Sequence, residues 1–186
     1  MWISPLVLVR AALFAALLSA AATLFRFASG VVPFSLVPFA VILGGLTLRP
    51  LEAFMGVSVY LGLGLVGVPV FAAPPFGGVM YILQPTFGFL LGFLLAAPLV
   101  ARSREAMHPP TFLKVAVLAI VGVAVPYGPG LLYLWFVLNL IMGMEIGLGG
   151  VVRTGFLPFI APDIVKALLA GALAWKARSL WKQSYR

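Results

Sequence analysis

The stretch Phe156-Leu-Pro-Phe-Ile-Ala-Pro-Asp-Ile-Val-Lys-Ala-Leu-Leu-Ala170 sets an aspartate and a lysine three residues apart in an otherwise apolar run. Proline is common at the first helical position, so Pro162 predicts a helix start. Asp163 and Lys166, at i and i+3, then project from the same face. The basic cluster Lys176, Arg178, Lys182 and Arg186 marks the far end of the segment. A membrane span needs about 20 residues, which puts the opposite bilayer surface near residues 155 to 157 and both charges below it. A charge at that depth costs about 3 kcal/mol, so the pair is expected to face a bundle interior or a cavity and to carry function. Residues 156 to 161, with Pro158 leading into Pro162, predict irregular backbone, which membranes tolerate only where protein or a watery cavity covers it. The alternative is an Asp163 that favours a helix dipole and a Lys166 that snorkels to the headgroups; it leaves the recessed carboxylate unserved.

The chain has 186 residues, 63% of them hydrophobic and 9% charged, and its apolar runs place it in a lipid bilayer rather than in water. The net charge of +8 gathers in short loops and the tail, as the positive-inside bias requires, so a nucleic-acid role has no support. With no cysteine, disulfides, thiolate nucleophiles and cysteine metal sites are excluded. A single histidine, His108, lies in the polar stretch Arg102-Ser-Arg-Glu-Ala-Met-His-Pro-Pro110 and builds no His-based metal site.

The pattern predicts an all-α membrane protein in one domain over residues 1–186: a six-helix transmembrane bundle with a long ordered loop between helices 3 and 4 and a broken fifth helix. The first run, about Pro5 to Phe27, contains Arg10 and is too long for a signal-peptide core, so it is expected to remain as helix 1. Small residues recur there every four positions, through Ala11, Ala15 and Ser19 or through Ala12, Ala16 and Ala20, and either stripe suits close packing of another helix. Val32-Pro-Phe-Ser-Leu-Val-Pro-Phe39 leads into a short second span ending near Leu48, and Arg49-Pro50 forms a basic turn. The third span covers Leu51 to about Val66. Gly67-Val-Pro-Val-Phe-Ala-Ala-Pro-Pro-Phe-Gly-Gly78, with three prolines and no charge, predicts an ordered cap or pocket wall. The fourth span is expected from about Tyr81 to Val100, ending at a basic loop with Arg102 and Arg104. Thr111 to Met144 is broken at Pro126-Tyr-Gly-Pro-Gly130. Counting it as one broken span keeps the basic tail on the side of Arg49 and Arg102. Glu145 and Arg153 then fall in an outer loop, and Trp175 and Trp181 anchor the last span on the cytoplasmic side.

The chemistry that is missing narrows function. There is no phosphate-binding loop of the Gly-x-x-x-x-Gly-Lys-Ser/Thr kind, so ATP hydrolysis would have to come from partners. The four acidic residues are scattered and His108 lies in a loop, which disfavours an intramembrane protease. What remains is a binding site with a carboxylate, an ammonium and nearby aromatics.

Taken together, Gly67-Val-Pro-Val-Phe71, Gln84-Pro-Thr-Phe-Gly-Phe-Leu-Leu-Gly-Phe93 and Leu157-Pro-Phe-Ile-Ala-Pro-Asp-Ile-Val-Lys-Ala167 resemble the signature blocks of the BioY family, the biotin-specific S components of energy-coupling factor (ECF) transporters. The resemblance runs over roughly residues 30 to 175 in the family's order. It implies a biotin-capturing subunit in a prokaryotic inner membrane with both termini cytoplasmic, energised by a T component and two ABC-type ATPases, with no cofactor and no catalytic residue. The implied ligand contacts are Asp163 and Lys166, with Thr86, Phe71, Tyr81, Phe87 and Trp135 as further candidates. Biotin's ureido N–H groups suit the carboxylate and its valerate suits the ammonium, but which end meets which residue stays open. Thr86 is equally suited to capping the fourth helix. The family's alanine motif for docking the T component matches Ala12 and Ala16, with Ala11 and Ala15 as the other register. Where the family often has Thr-Leu-Gln, this chain has Ser35-Leu-Val37, which removes a polar side chain near the pocket. An S component for another small vitamin, a ligand-free structural subunit and an autonomous carrier are the alternatives.

Overall fold

The computed structural model describes residues 4–24 and 35–178. Eight α-helices follow one another: α1 (Pro5–Leu24), α2 (Val37–Thr47), α3 (Pro50–Leu65), α4 (Phe87–Glu105), α5 (Phe112–Ala124), α6 (Tyr127–Phe136), α7 (Leu148–Gly155) and α8 (Leu157–Lys176). A 3-10 turn, Val79–Leu83, precedes α4, and a π-helical turn, Val137–Ile141, prolongs α6. Among the described residues there is no strand. Val32, Pro33, Phe34, Trp181, Lys182 and Arg186 lie outside the described residues.

On α8 small side chains face inward and large ones outward, the reverse of a helix in a water-soluble bundle. On α8 the buried positions include Ala167, Ala170, Gly171 and Ala174, whereas Val165, Leu168, Leu169 and Leu173 are exposed. Lipid solvates leucine as well as a protein interior does, so helices associate in membranes through close backbone approach, which alanine and glycine permit. α2 sits between α4 and α8, α5 packs on α8, and α1 lies along α3. α1, α4, the run Phe112–Ile141 and α8 are long and apolar enough to cross a membrane, and α2 and α3 are shorter apolar helices.

The small-residue stripe on α1 resolves into two faces. Ala11 and Ala15 are buried inside the chain, on the side that packs against α3, so they are not available to a partner; Ala12, Ala16 and Ala20 are exposed. At the same end of the bundle, Arg10 Nη1 lies 3.1 Å from Oε1 of Glu52, a carboxylate only 1% exposed. Glu52 Oε2 accepts the backbone N–H of Arg49 at 2.9 Å, capping α3 just where Pro50 starts it. Arg104 corrects the expected loop: α4 runs on through Arg102 and Arg104, and the buried Arg104 guanidinium donates to the Leu48 carbonyl at 2.7 Å. Glu145 lies in the non-helical segment before α7, and Arg153 lies on α7 itself.

At Pro126 the chain does not turn back. Val125 (φ −55°, ψ −46°) and Pro126 (φ −63°, ψ −22°) both keep right-handed helical dihedrals. Residues 112–141 therefore form one interrupted rod of 30 residues, about 45 Å long against a hydrocarbon core of about 30 Å. α8 departs from expectation at its start. It opens at Leu157, not Pro162, and residues 157–161 are helical rather than irregular. Pro158 occupies the first turn, where a missing N–H costs nothing, and Pro162 removes only the bond that the Pro158 carbonyl would have received.

The segment between α3 and α4 is ordered by its own bonds: Phe71 N–H donates to Phe76 O at 2.8 Å and Gly78 N–H to Gly64 O at 2.7 Å. Its Phe71 ring lies over Gly64, where a Cβ would stand 2.0 Å from the ring, so only glycine admits this approach.

Candidate ligand-binding site

Between α2, the 71–86 segment, α4, the α5–α6 junction and α8 lies a cavity of about 170 Å³, well above the 10–15 Å³ or so that a single buried water requires. Among the described residues Asp163 and Lys166 are the charged groups that line it. Lys166 Nζ donates to Asp163 Oδ1 at 2.7 Å and to the Ser35 carbonyl at 2.8 Å. The Tyr127 hydroxyl donates to Asp163 Oδ2 at 2.8 Å. Both charged side chains are buried, at 10% and 8% exposure, so they neither snorkel nor point to bulk water. The i, i+3 spacing brought them together as expected, and the mutual attraction and added hydrogen bonds offset part of the cost of taking both charges out of water.

The remaining wall is apolar and aromatic: Tyr60, Tyr81, Phe89, Phe93 and Phe159, with Leu90, Val123 and Pro126 between them. Gly92 lets α4 approach the break, since a Cβ there would lie 2.5 Å from Pro126 Cα. Val37 lines the cavity where the family often has a polar residue, and Ser35 beside it also lines it.

The other candidates divide. Thr86 lines the cavity and makes no side-chain bond to the start of α4, so it is not that helix's side-chain cap. Tyr81 lines it too, from the 3-10 turn rather than from α4. Phe71 does not: it is fully buried behind the wall, 5.5 Å from the Tyr60 ring and 4.3 Å from the Tyr81 ring. Phe87 is likewise packed between Tyr81 and Tyr133, outside the lining. Trp135 is 38% exposed on α6 and is also outside it. Tyr60, Phe89, Phe93, Tyr127 and Phe159 were not singled out in the sequence. Their membership depends on tertiary packing; the sole local signal was that Tyr127 stands inside the Pro-Tyr-Gly break.

A membrane fold that is helical throughout its described elements, with a small polar pair facing a cavity between the helices, defines a solute-binding membrane subunit. The fold itself matches, over 100% of both chains with a TM-score of 0.78 and 19% identity, a crystal structure described as the S-component for biotin from an ECF-type ABC transporter. The BioY family profile matches residues 3–183, and the chain belongs to the BioY family. Relatives include a probable biotin transporter BioY of Lysinibacillus sphaericus, 35% identical over 97% of this chain and 91% of the relative. Another, from Pyrococcus horikoshii, is 36% identical over 88% and 90%. The biotin transporter BioY of Thermotoga maritima is 30% identical over 93% and 96%.

Proposed function

We propose that this chain is the biotin-capturing S component of an ECF-type importer. Family membership and the names of its relatives support this reading, and the Asp163–Lys166 pair facing the cavity is the observation that carries it. Biotin is bound as a neutral head with a charged tail. The buried pair is itself neutral overall, so a second carboxylate placed on Lys166 would leave a net negative charge away from water, whereas a ureido group adds none. Asp163 has accepted two hydrogen bonds, and a carboxylate offers about four acceptor sites, which leaves capacity for ureido N–H donors. The ureido oxygen then turns to the ammonium and the fused rings pack on Phe89, Phe93 and Tyr81. The valerate extends away from the pair.

The six-span arrangement is part of the same reading. α1, α2, α3, α4, the broken rod and α8 serve as the spans, and α7 lies outside them. The basic groups near Arg49, Arg102 and Lys176 face the cytoplasm, with both termini. No chemical step is assigned to the chain. Transport energy comes from a T component and two ATPases, and the exposed Ala12 and Ala16 form the face on which the T component docks.

Equilibrium binding by the purified chain against a panel of small vitamins tests the substrate. Biotin is expected to be preferred, and a tighter preference for another vitamin overturns the assignment. A second prediction concerns the partner face. Ala16→Trp puts a bulky ring on an exposed face far from the cavity, so it leaves biotin binding by the isolated chain within about twofold. It lowers biotin uptake by cells at least about tenfold, because close helix approach is lost. Unchanged uptake would remove α1 from the docking role.

A further inference from the structure

The polar pair is held by a third residue whose placement no charge requirement explains. Tyr127 opens α6, immediately after the break at Pro126, and its ring is held edge-on by Phe89 of α4 at 5.8 Å and by Phe156, next to α8, at 5.0 Å. Two aromatic contacts from different elements leave the hydroxyl little freedom. It donates to Asp163 Oδ2, while Lys166 holds Oδ1. Each carboxylate oxygen is thus tied to a different helix.

We propose that Tyr127 is a positioning residue for ligand capture: its hydroxyl keeps the Asp163 carboxylate from rotating onto Lys166, and so preserves acceptor sites on Asp163 that face the cavity. An aspartate and a lysine at i and i+3 on one helix can close into a two-point pair, with both oxygens on the one ammonium. That pair would turn both oxygens toward the ammonium and away from the cavity. Anchoring Oδ2 to α6 prevents the closure. Because a carboxylate is acceptor-only, the phenol must be the donor, and its own oxygen can then offer a ligand only lone pairs. The arrangement therefore favours a ligand head that donates N–H groups.

This inference rests on the reading of Asp163 and Lys166 as the ligand pair. Asp163 is the chain's only aspartate, so an isotope label on the aspartate side-chain carboxylate reports on this group alone. The test compares the full-length wild type with Tyr127→Phe, which keeps the ring and removes the hydroxyl. Biotin affinity and the infrared carboxylate stretch of ligand-free protein are measured for both in lipid nanodiscs, with ¹³C at the carboxylate. Failure of the wild type to bind biotin overturns the site assignment and this inference with it. With the wild type binding, the variant is expected to bind biotin about tenfold more weakly, the usual scale for one hydrogen bond to an ionised group. Its ¹³C carboxylate band is expected to shift. Affinity within twofold of wild type, or weaker binding with an unmoved band, overturns the positioning role. If the phenylalanine variant does not purify as a monodisperse protein, Tyr127→Met is read by the same two measurements.

Discussion

Asp163→Ala is expected to weaken biotin binding by at least about a hundredfold and to destabilise the fold as well. Truncating one partner of a buried, hydrogen-bonded charge pair typically costs 2 to 5 kcal/mol or so in binding. It also takes away the counter-charge of the Lys166 ammonium, which is 8% exposed and bonded to the Ser35 carbonyl at 2.8 Å. Leaving a buried charge uncompensated costs about 3 kcal/mol of stability. The two losses separate in the double variant Asp163→Ala/Lys166→Met, which removes both charges. Thermal unfolding should return most of the way to wild type, while biotin binding stays lost. Binding by Asp163→Ala within tenfold of wild type would show that the carboxylate does not meet the ligand.

A second large effect is expected far from the cavity. Glu52 is 1% exposed, pairs with Arg10 of α1 and caps the Arg49 amide at the start of α3. Glu52→Ala removes the cap, worth about 1 kcal/mol, and the counter-charge of a half-buried arginine at the α1–α3 contact. The variant should lose about 3 kcal/mol of stability. Glu52→Gln, which can still accept from the Arg49 amide, should lose roughly half as much. Because Glu52 does not line the cavity, the fraction that stays folded should bind biotin within about threefold of wild type. An unchanged unfolding temperature for Glu52→Ala would mean that α1 is held by its small-residue packing alone.

How much of this was legible before the structure depended on how local each signal was. Asp163 and Lys166 share a face whatever residue begins the helix, because three-residue spacing does so in any α-helical frame, and their pairing followed. The start of α3 was equally local: Pro50 and Glu52 are the residues that open and cap it. The start of α8 was not. Two prolines four apart read as irregular backbone, yet one falls in the first turn and the other forfeits a single bond, so the helix continues through both. The α1 stripe could not be assigned a face, since Ala11 and Ala12 are equally small and only the position of α3 buries one and leaves the other exposed. Aromatic residues were the least decidable. Phe71 seats on Gly64 behind the wall and Trp135 looks outward, whereas Phe89 and Phe93 line the cavity, and nothing in the residue type distinguishes them. Tyr127 is 36 positions from the aspartate it bonds, a separation that only packing can close.

Ligand capture here depends on a neutral ion pair presenting its spare acceptors to the uncharged end of a small solute. A structure of the chain crystallised with biotin tests this most directly. The fused rings should occupy the cavity, with a ureido nitrogen within about 3.2 Å of an Asp163 oxygen and the valerate carboxylate remote from Lys166. A carboxylate resting on Lys166, or biotin bound anywhere outside this cavity, would contradict it.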